Sequence, residues 1–437
     1  MNQPRMRRAT RWLMAATILS ALSTSAFPGK EGLFDPEFNK VPFAEWFTGK
    51  ADIGFKWTER ILPVVLSTHQ RLLAQIEIRV DGRELVRRRG SGKLIFYFEF
   101  TDGQGRIYQD HTDFDLEKVG PAVKSAVITI SDSAFVMPGD YSVAFAIYNT
   151  ATGEHTAKRD RLHVLPLNSD PLPDMWRNLP SVDFVDVSDP PDCWYLPKER
   201  GRLNLPVEPY RPVRLTVVAN LESSETVTTF RAKDADIRLV LPYLKVLSEI
   251  RGPNLKKTFS LLDVIRRRVL FHQPEVDQLD WKRLSAAIQG VNPGLIDQKA
   301  LASQQDMASF FINEVAGGFS PDDAPGARVV VVLTGAMTFA TRQNLPEIEI
   351  KSQPRDRLIY VRMRNLPSFP TQSSKKPLRN GSADGMTESL AVLPYGPATD
   401  ELAHGFASVP GLRLLEVQSP GAFREALAAI LEEIGSL

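Results

Sequence analysis

Over the first part of the chain the apolar residues recur with a period of two. Ile76, Ile78 and Val80 alternate with Gln75, Glu77 and Arg79 and stop at Asp81-Gly82. Phe96, Phe98 and Phe100 alternate in the same way up to Asp102-Gly103. Val127–Ile130 follows, then Tyr141, Val143, Phe145 and Ile147, a turn at Asn149–Gly153, and Leu162-His163-Val164. A period of two sends successive side chains to opposite faces of a sheet. Several such runs joined by Asp-Gly or Pro-Gly turns predict an antiparallel β-sandwich over residues 61–167.

Beyond residue 212 the pattern becomes an alternation of strand and helix. Val213–Ala219 reads as an apolar strand, and Ile237, Val240, Leu241, Leu244, Leu247 and Ile250 keep the three- and four-residue spacing of one helical face. Phe259–Val264 and Val269–His272 read as a pair of strands. Asp280 caps a helix carrying Trp281, Leu284 and Ile288 and closed by Gly290, and Met307, Phe311 and Val315 stripe another. Val329–Leu333 is apolar on both faces, as a central parallel strand covered by helices must be. Leu358–Met363 and Leu412–Val417 are further strands. Ser419-Pro420 starts a last helix with the face Phe423, Leu427, Ile430, Leu431 and Ile434. These elements predict a doubly wound, Rossmann-like α/β domain over 212–437, interrupted by an insertion rich in Pro, Ser and Gly at 366–397.

The flanking segments read differently. Arg5, Arg7, Arg8 and Arg11, a short apolar core at Trp12–Leu22 and the small residues Thr24-Ser25-Ala26 have the form of a secretion signal over 1–26. The expected location is the periplasm or the exterior. Residues 27–60 are aromatic without periodicity, an irregular arm. Ten prolines between 166 and 212 predict a linker over 168–211. No segment after the signal has the run of apolar residues that an integral membrane helix needs.

Composition narrows the chemistry. Of 437 residues, 53 are Lys or Arg and 52 Asp or Glu, a net charge of +1 that supplies no field for nucleic acid. The lone cysteine, Cys193, excludes an intramolecular disulfide framework and reads as a small residue beside Trp194 and Tyr195, far from any lipid-attachment position.

Two resemblances emerge from these residues. Pro138-Gly139-Asp140-Tyr141 leading into a strand resembles the start of the penultimate strand of immunoglobulin-like domains. The order of elements after 211, strongest in the first strand, the Val329–Thr334 strand end and the terminal helix, resembles the von Willebrand factor A-type domain. With its export signal and sandwich, the whole is similar to exported von Willebrand A-related proteins of acidobacteria. That resemblance implies a magnesium site at the carboxyl ends of the strands, built from Asp-x-Ser-x-Ser, a loop Thr and a second Asp. Here the first motif falls on Asn220-Leu221-Glu222-Ser223-Ser224, so Asn220 and Glu222 replace Asp and Ser, and Ser224 alone remains. Leu333-Thr334-Gly335-Ala336 lacks the second Asp, and no threonine lies between Thr258 and Thr334. Asp297 is the other carboxylate placed to contribute. Magnesium demands near-ideal oxygen geometry. The site is therefore expected to be vestigial, with no cofactor, and magnesium as the alternative.

Other chemical signals are weak. No nucleophile elbow, phosphate loop or zinc motif is present. His111 between Asp110 and Asp113 reads as a solvated turn and His163 as a sheet-face residue. Asp183, Asp186, Asp189 and Asp192 read as a solvated linker, lacking the glycine and glutamate of a calcium loop. The runs Arg87–Arg89 and Arg266–Arg268 read as edge protection. The function expected is non-catalytic: an exported protein-binding or scaffold protein with partners in the envelope or extracellular space. Metal-dependent adhesion and a carbohydrate-active or other hydrolase with an interdomain site are the alternatives.

Overall fold

The computed structural model describes residues 43–46, 55–90, 92–185, 203–221, 235–289, 304–319, 326–335, 337, 353–363, 402, 405, 406, 409 and 411–437. Its first half is two antiparallel sheets. One holds β1 (Trp57–Ile61), β2 (Val65–Leu66), β3 (Leu72–Asp81), β6 (Val127–Val136) and β9 (Val182–Phe184), in the order β1-β3-β6-β9 with β2 also on β3. The other runs β5 (Ile107–Asp115), β4 (Lys93–Asp102), β7 (Gly139–Asn149), β8 (His155–Val164). The alternation read from the sequence sets the facing: Ile76, Ile78 and Val80 share a core with Phe96, Phe98, Phe100, Val143 and Phe145. Tyr141 fastens the start of β7, its hydroxyl donating to the Met137 carbonyl at 2.8 Å. Burial pushes that phenol up to about 12. A short helix α1 (Gly82–Arg87) follows β3, with the Asp81 side chain capping its first turn.

Strand β1 begins inside the stretch expected to be irregular, and β9 lies inside the proline-rich stretch. Both are short edge strands, whose alternation spans too few residues to register as a period. A single helical turn at Phe43–Trp46 precedes them, with the Trp46 ring stacked on His155 at 4.1 Å.

The second half is built on one six-stranded sheet. Its strands are β11 (Val213–Asn220), β13 (Leu255–Asp263), β14 (Arg268–Val276), β15 (Ala327–Gly335), β16 (Arg357–Met363) and β17 (Leu412–Val417). They lie in the order β14-β13-β11-β15-β16-β17. All neighbours are parallel except the β13–β14 hairpin. Every residue of β15 is buried. Helices α2 (Ala235–Ser248) and α5 (Pro420–Gly435) join the apolar cluster that includes Val217, Val329 and Val331. Helix α4 (Gln304–Gly317) packs with Val218, Val330 and Val332. Helix α3 (Trp281–Gln289) starts after Asp280, whose carboxylate accepts the Arg283 amide at 3.0 Å. A two-stranded parallel ladder joins β10 (Leu205–Pro206) to β12 (Ile250–Arg251).

The fold class expected from the sequence, a sandwich followed by a doubly wound Rossmann-like α/β domain, is corrected by these elements. The described residues are 45% strand and 27% helix, in four sheets with few helices. Eight of the thirteen strand pairings are antiparallel (β1–β3, β2–β3, β3–β6, β6–β9, β4–β5, β4–β7, β7–β8, β13–β14). The molecule is mostly β. Strands of nine to eleven residues in the first half outweigh the helices, and a sequence-level alternation of strand and helix gives that length no weight.

The two halves share one apolar cluster, which runs from Ile76 and Phe98 through Met175 and Trp176 to Leu215 and Phe423. Residues 42–437 form a single compact unit.

Candidate functional site

Parallel strands place their carboxyl ends along one rim of a sheet, where ligand sites of such sheets usually form. Here β11 ends at Asn220 and β15 at Thr334 and Gly335, neighbours in the ladder. Asn220 and Thr334 are fully buried. The Asn220 amide donates to Thr334 Oγ1 at 3.2 Å and approaches Met337 Sδ at 3.3 Å. Leu221, also buried, donates its backbone N–H to the Leu262 carbonyl and ties the strand end to β13. The structure therefore brings together Asn220, Thr334 and Gly335. Glu222, Ser224 and Asp297 lie outside the described residues, as do Cys193 and its neighbours Trp194 and Tyr195.

Magnesium takes hard oxygens in octahedral array; of the described side chains here Asn220 and Thr334 carry such oxygens, and the Asn220 amide N–H is spent on Thr334 Oγ1 and Met337 Sδ. Gly335 has no side chain to offer. Among the described residues, no three His, Cys, Asp or Glu side chains gather as a metal centre would require. Nothing in the sequence reading marks Met337. Only its position three residues after Thr334 points toward the strand end.

The remaining singled-out groups are held by neighbours. His111 donates its backbone N–H to Asp110, and Asp113 pairs with Lys93 at 3.1 Å. His163 faces Asp140 across β7–β8 at 2.7 Å, exposed to solvent. Asp183 binds the buried Arg71 at 2.7 Å, while Asp186, Asp189 and Asp192 lie outside the described residues. Both arginine runs carry ion pairs: Arg88 bonds Glu84 and Glu154 beside the Phe55 ring. Arg266 and Arg268 share the fully buried Asp263.

Lys257 and Arg424 are among the buried cations that nothing in their local sequence pattern marks. Lys257, 2% exposed, extends from β13 to the end of α2 and donates to the carbonyls of Ser248 and Ile250 at 2.7 and 2.8 Å. Burial brings its ammonium down to about 8. The carbonyl end of a helix favours a cation. Lys257 lines a cavity of about 250 Å³ together with Arg251, Gly252, Leu255 and Asp277. Arg424, on α5 and 2% exposed, reaches the sandwich half. It grips both Asp170 oxygens at 2.6 and 2.8 Å, donates to the Gln70 and Leu172 carbonyls, and lies 4.6 Å from the Trp176 ring centre. Gln70 holds a left-handed φ of 65° there, and its amide donates to the Pro420 carbonyl. At this junction, the carboxylates of Asp170 and Asp183 are each bound by an arginine.

No protein-family model matches the sequence, and no curated protein matches it. Among solved structures, the chain is similar to the structural-genomics target SoR45 at 14% identity and a TM-score of 0.16. That match covers 26% of this chain and 91% of that one. It is similar to a putative ApaA protein from Bordetella pertussis at 11% identity and a TM-score of 0.15, covering 27% and 96% of the two chains. Likeness at those scores carries no argument, and none of the comparisons identifies a von Willebrand A domain. Among the described residues, no helix is long and apolar enough to cross a membrane.

Proposed function

We propose that the protein is a non-catalytic, exported binding or scaffold protein that meets protein partners in the envelope or outside the cell. The observation that carries this is the packing at the described strand ends of β11 and β15. There the Asn220 amide donates to Thr334 and Met337, and all three are buried. Surfaces, rather than a reactive centre, then do the work. The halves support such a role because one core and the Arg424 contacts hold them together, so a partner meets a fixed surface. The export signal read in residues 1–26 supplies the compartment. The test is capture of crosslinked envelope proteins on the full chain, compared with an unrelated exported protein of similar charge. A reproducible specific partner is expected, and recovery of the same background on both would contradict the proposal.

A further inference from the structure

Lys257 carries a buried charge for which no carboxylate of the described residues lies in ion-pair range. Its Nζ donates to the carbonyls of Ser248 and Ile250. An ammonium has three N–H donors, so these two bonds leave one over. Buried charges are ordinarily paired as well as hydrogen-bonded. The acids whose charge reaches Lys257 are engaged elsewhere. Glu249 is held by Lys245 and Arg251 at 3.0 and 3.2 Å, and Asp277 faces Lys256 at 3.8 Å. Burial without a close counter-charge is what brings the ammonium down to about 8.

The same side chain forms part of the wall of the cavity of about 250 Å³. The cavity lies at the amino end of β13, the rim of the parallel sheet opposite Asn220 and Thr334. All of its wall residues are among those described. The wall is buried and apolar at Ile250 and Leu255 and exposed at Arg251, Asp277 and Gln278, so one side opens to water. An apolar wall with a few convergent polar groups is what small-ligand sites require, and a volume under the ~300–1,000 Å³ of pockets for drug-sized ligands suits a short molecule.

We propose that this cavity binds a small monocarboxylate with a short apolar chain, its carboxylate on the Lys257 ammonium and the Arg251 guanidinium and its chain against Ile250 and Leu255. The proposal goes beyond the binding role above and does not rest on it. A carboxylate there supplies the counter-charge that Lys257 lacks and an acceptor for the spare N–H. One negative charge suits the site better than two, because Asp277 stands in the same wall and repels a phosphate dianion more strongly. Affinity then follows the charge of Lys257. The protonated amine holds the anion, so binding is full below the folded value near 8 and falls as pH rises through it. The other charged groups facing Lys257 are Glu249, Arg251 and Asp277, carboxylates and a guanidinium, types that do not titrate between about pH 7 and pH 9.

The experiment is saturation-transfer NMR on the full chain with butyrate, and with butyramide as its uncharged match, at about pH 7 and about pH 9. Butyrate is expected to bind saturably, roughly tenfold or more tighter than butyramide, and about tenfold more weakly at the higher pH. Arg251 is exposed, so Arg251→Gln keeps the fold and should weaken butyrate severalfold. Lys257→Met should abolish butyrate binding, with circular dichroism checking that variant's fold. Four results would each overturn the proposal. They are no saturable butyrate binding at concentrations on the order of tens of millimolar, equal binding of butyramide or inorganic phosphate, butyrate binding unchanged by Lys257→Met, and a short peptide with a free C terminus binding where butyrate does not. None of them bears on the capture of envelope partners.

Discussion

At the residue scale, three buried polar side chains decide the behaviour of the molecule. Arg424 is a charge removed from water and compensated by Asp170 and two carbonyls. Removing one member of a buried pair strands the other. Arg424→Ala should cost about 3–5 kcal/mol in urea unfolding. Burial alone would raise the Asp170 carboxyl, but the Arg424 bonds and the Leu172 N–H hold it below its ordinary value. Its stabilising effect is thus present above the ordinary carboxyl range and is lost as pH falls through the lowered value. Asp170→Asn should flatten that acid limb of the stability curve. Lys257 acts at the other extreme. With the folded ammonium near 8 against an ordinary 10.5, the unfolded chain binds more protons between those values. Stability should therefore rise with pH over that window, and Lys257→Met should abolish the rise in a series of thermal melts. Asn220→Asp would place a carboxylate against Thr334 and Met337 and should cost about 3 kcal/mol or more, with no recovery on adding magnesium.

Element by element, the parts legible in the sequence are those whose local chemistry suffices. Ser419-Pro420 announces α5: Ser419 Oγ accepts the Ala422 amide at 3.1 Å, Pro420 takes the first turn, and Phe423, Leu427, Ile430 and Ile434 are buried. Removing this cap with Ser419→Ala should cost about 1 kcal/mol by chemical unfolding. The nine-residue β15 and the hairpin β13–β14 are equally plain, from an unbroken apolar run and from two runs close in sequence. What is not legible depends on partners remote in sequence. Arg424 on α5 looks like a solvated helix residue until Asp170, 254 positions away, is seen to meet it. Lys257 looks like half of a surface Lys-Lys pair until the end of α2 arrives above it. The fold class misleads for a related reason: alternation after 212 counts helices and strands equally, while long strands dominate the residues. Of the candidate site, Asn220 and Thr334 enter only through the resemblance of these strand ends to a family motif, and Met337, which lies beside them, is marked by nothing in the sequence.

For the whole molecule, the sandwich half and the parallel-sheet half behave as one body because a continuous apolar cluster and the Arg424–Asp170–Gln70 contacts cross between them. Calorimetry of the full chain should show a single cooperative transition, and Arg424→Ala should split or broaden it. Such a body would offer fixed surfaces to partners, while at the described ends of β11 and β15 Asn220, Thr334 and Met337 pack together. The measurement that tests this account most directly is thermal unfolding of the full chain, stripped with chelator and then titrated with magnesium, manganese and calcium. A metal that binds only the folded state raises stability in proportion to the logarithm of its concentration, so millimolar ions reveal even weak sites. The packing of Asn220 against Thr334 and Met337 predicts a flat response to all three ions. A saturable rise in melting temperature that changes with Thr334→Ala would show an open, metal-holding rim and contradict the account.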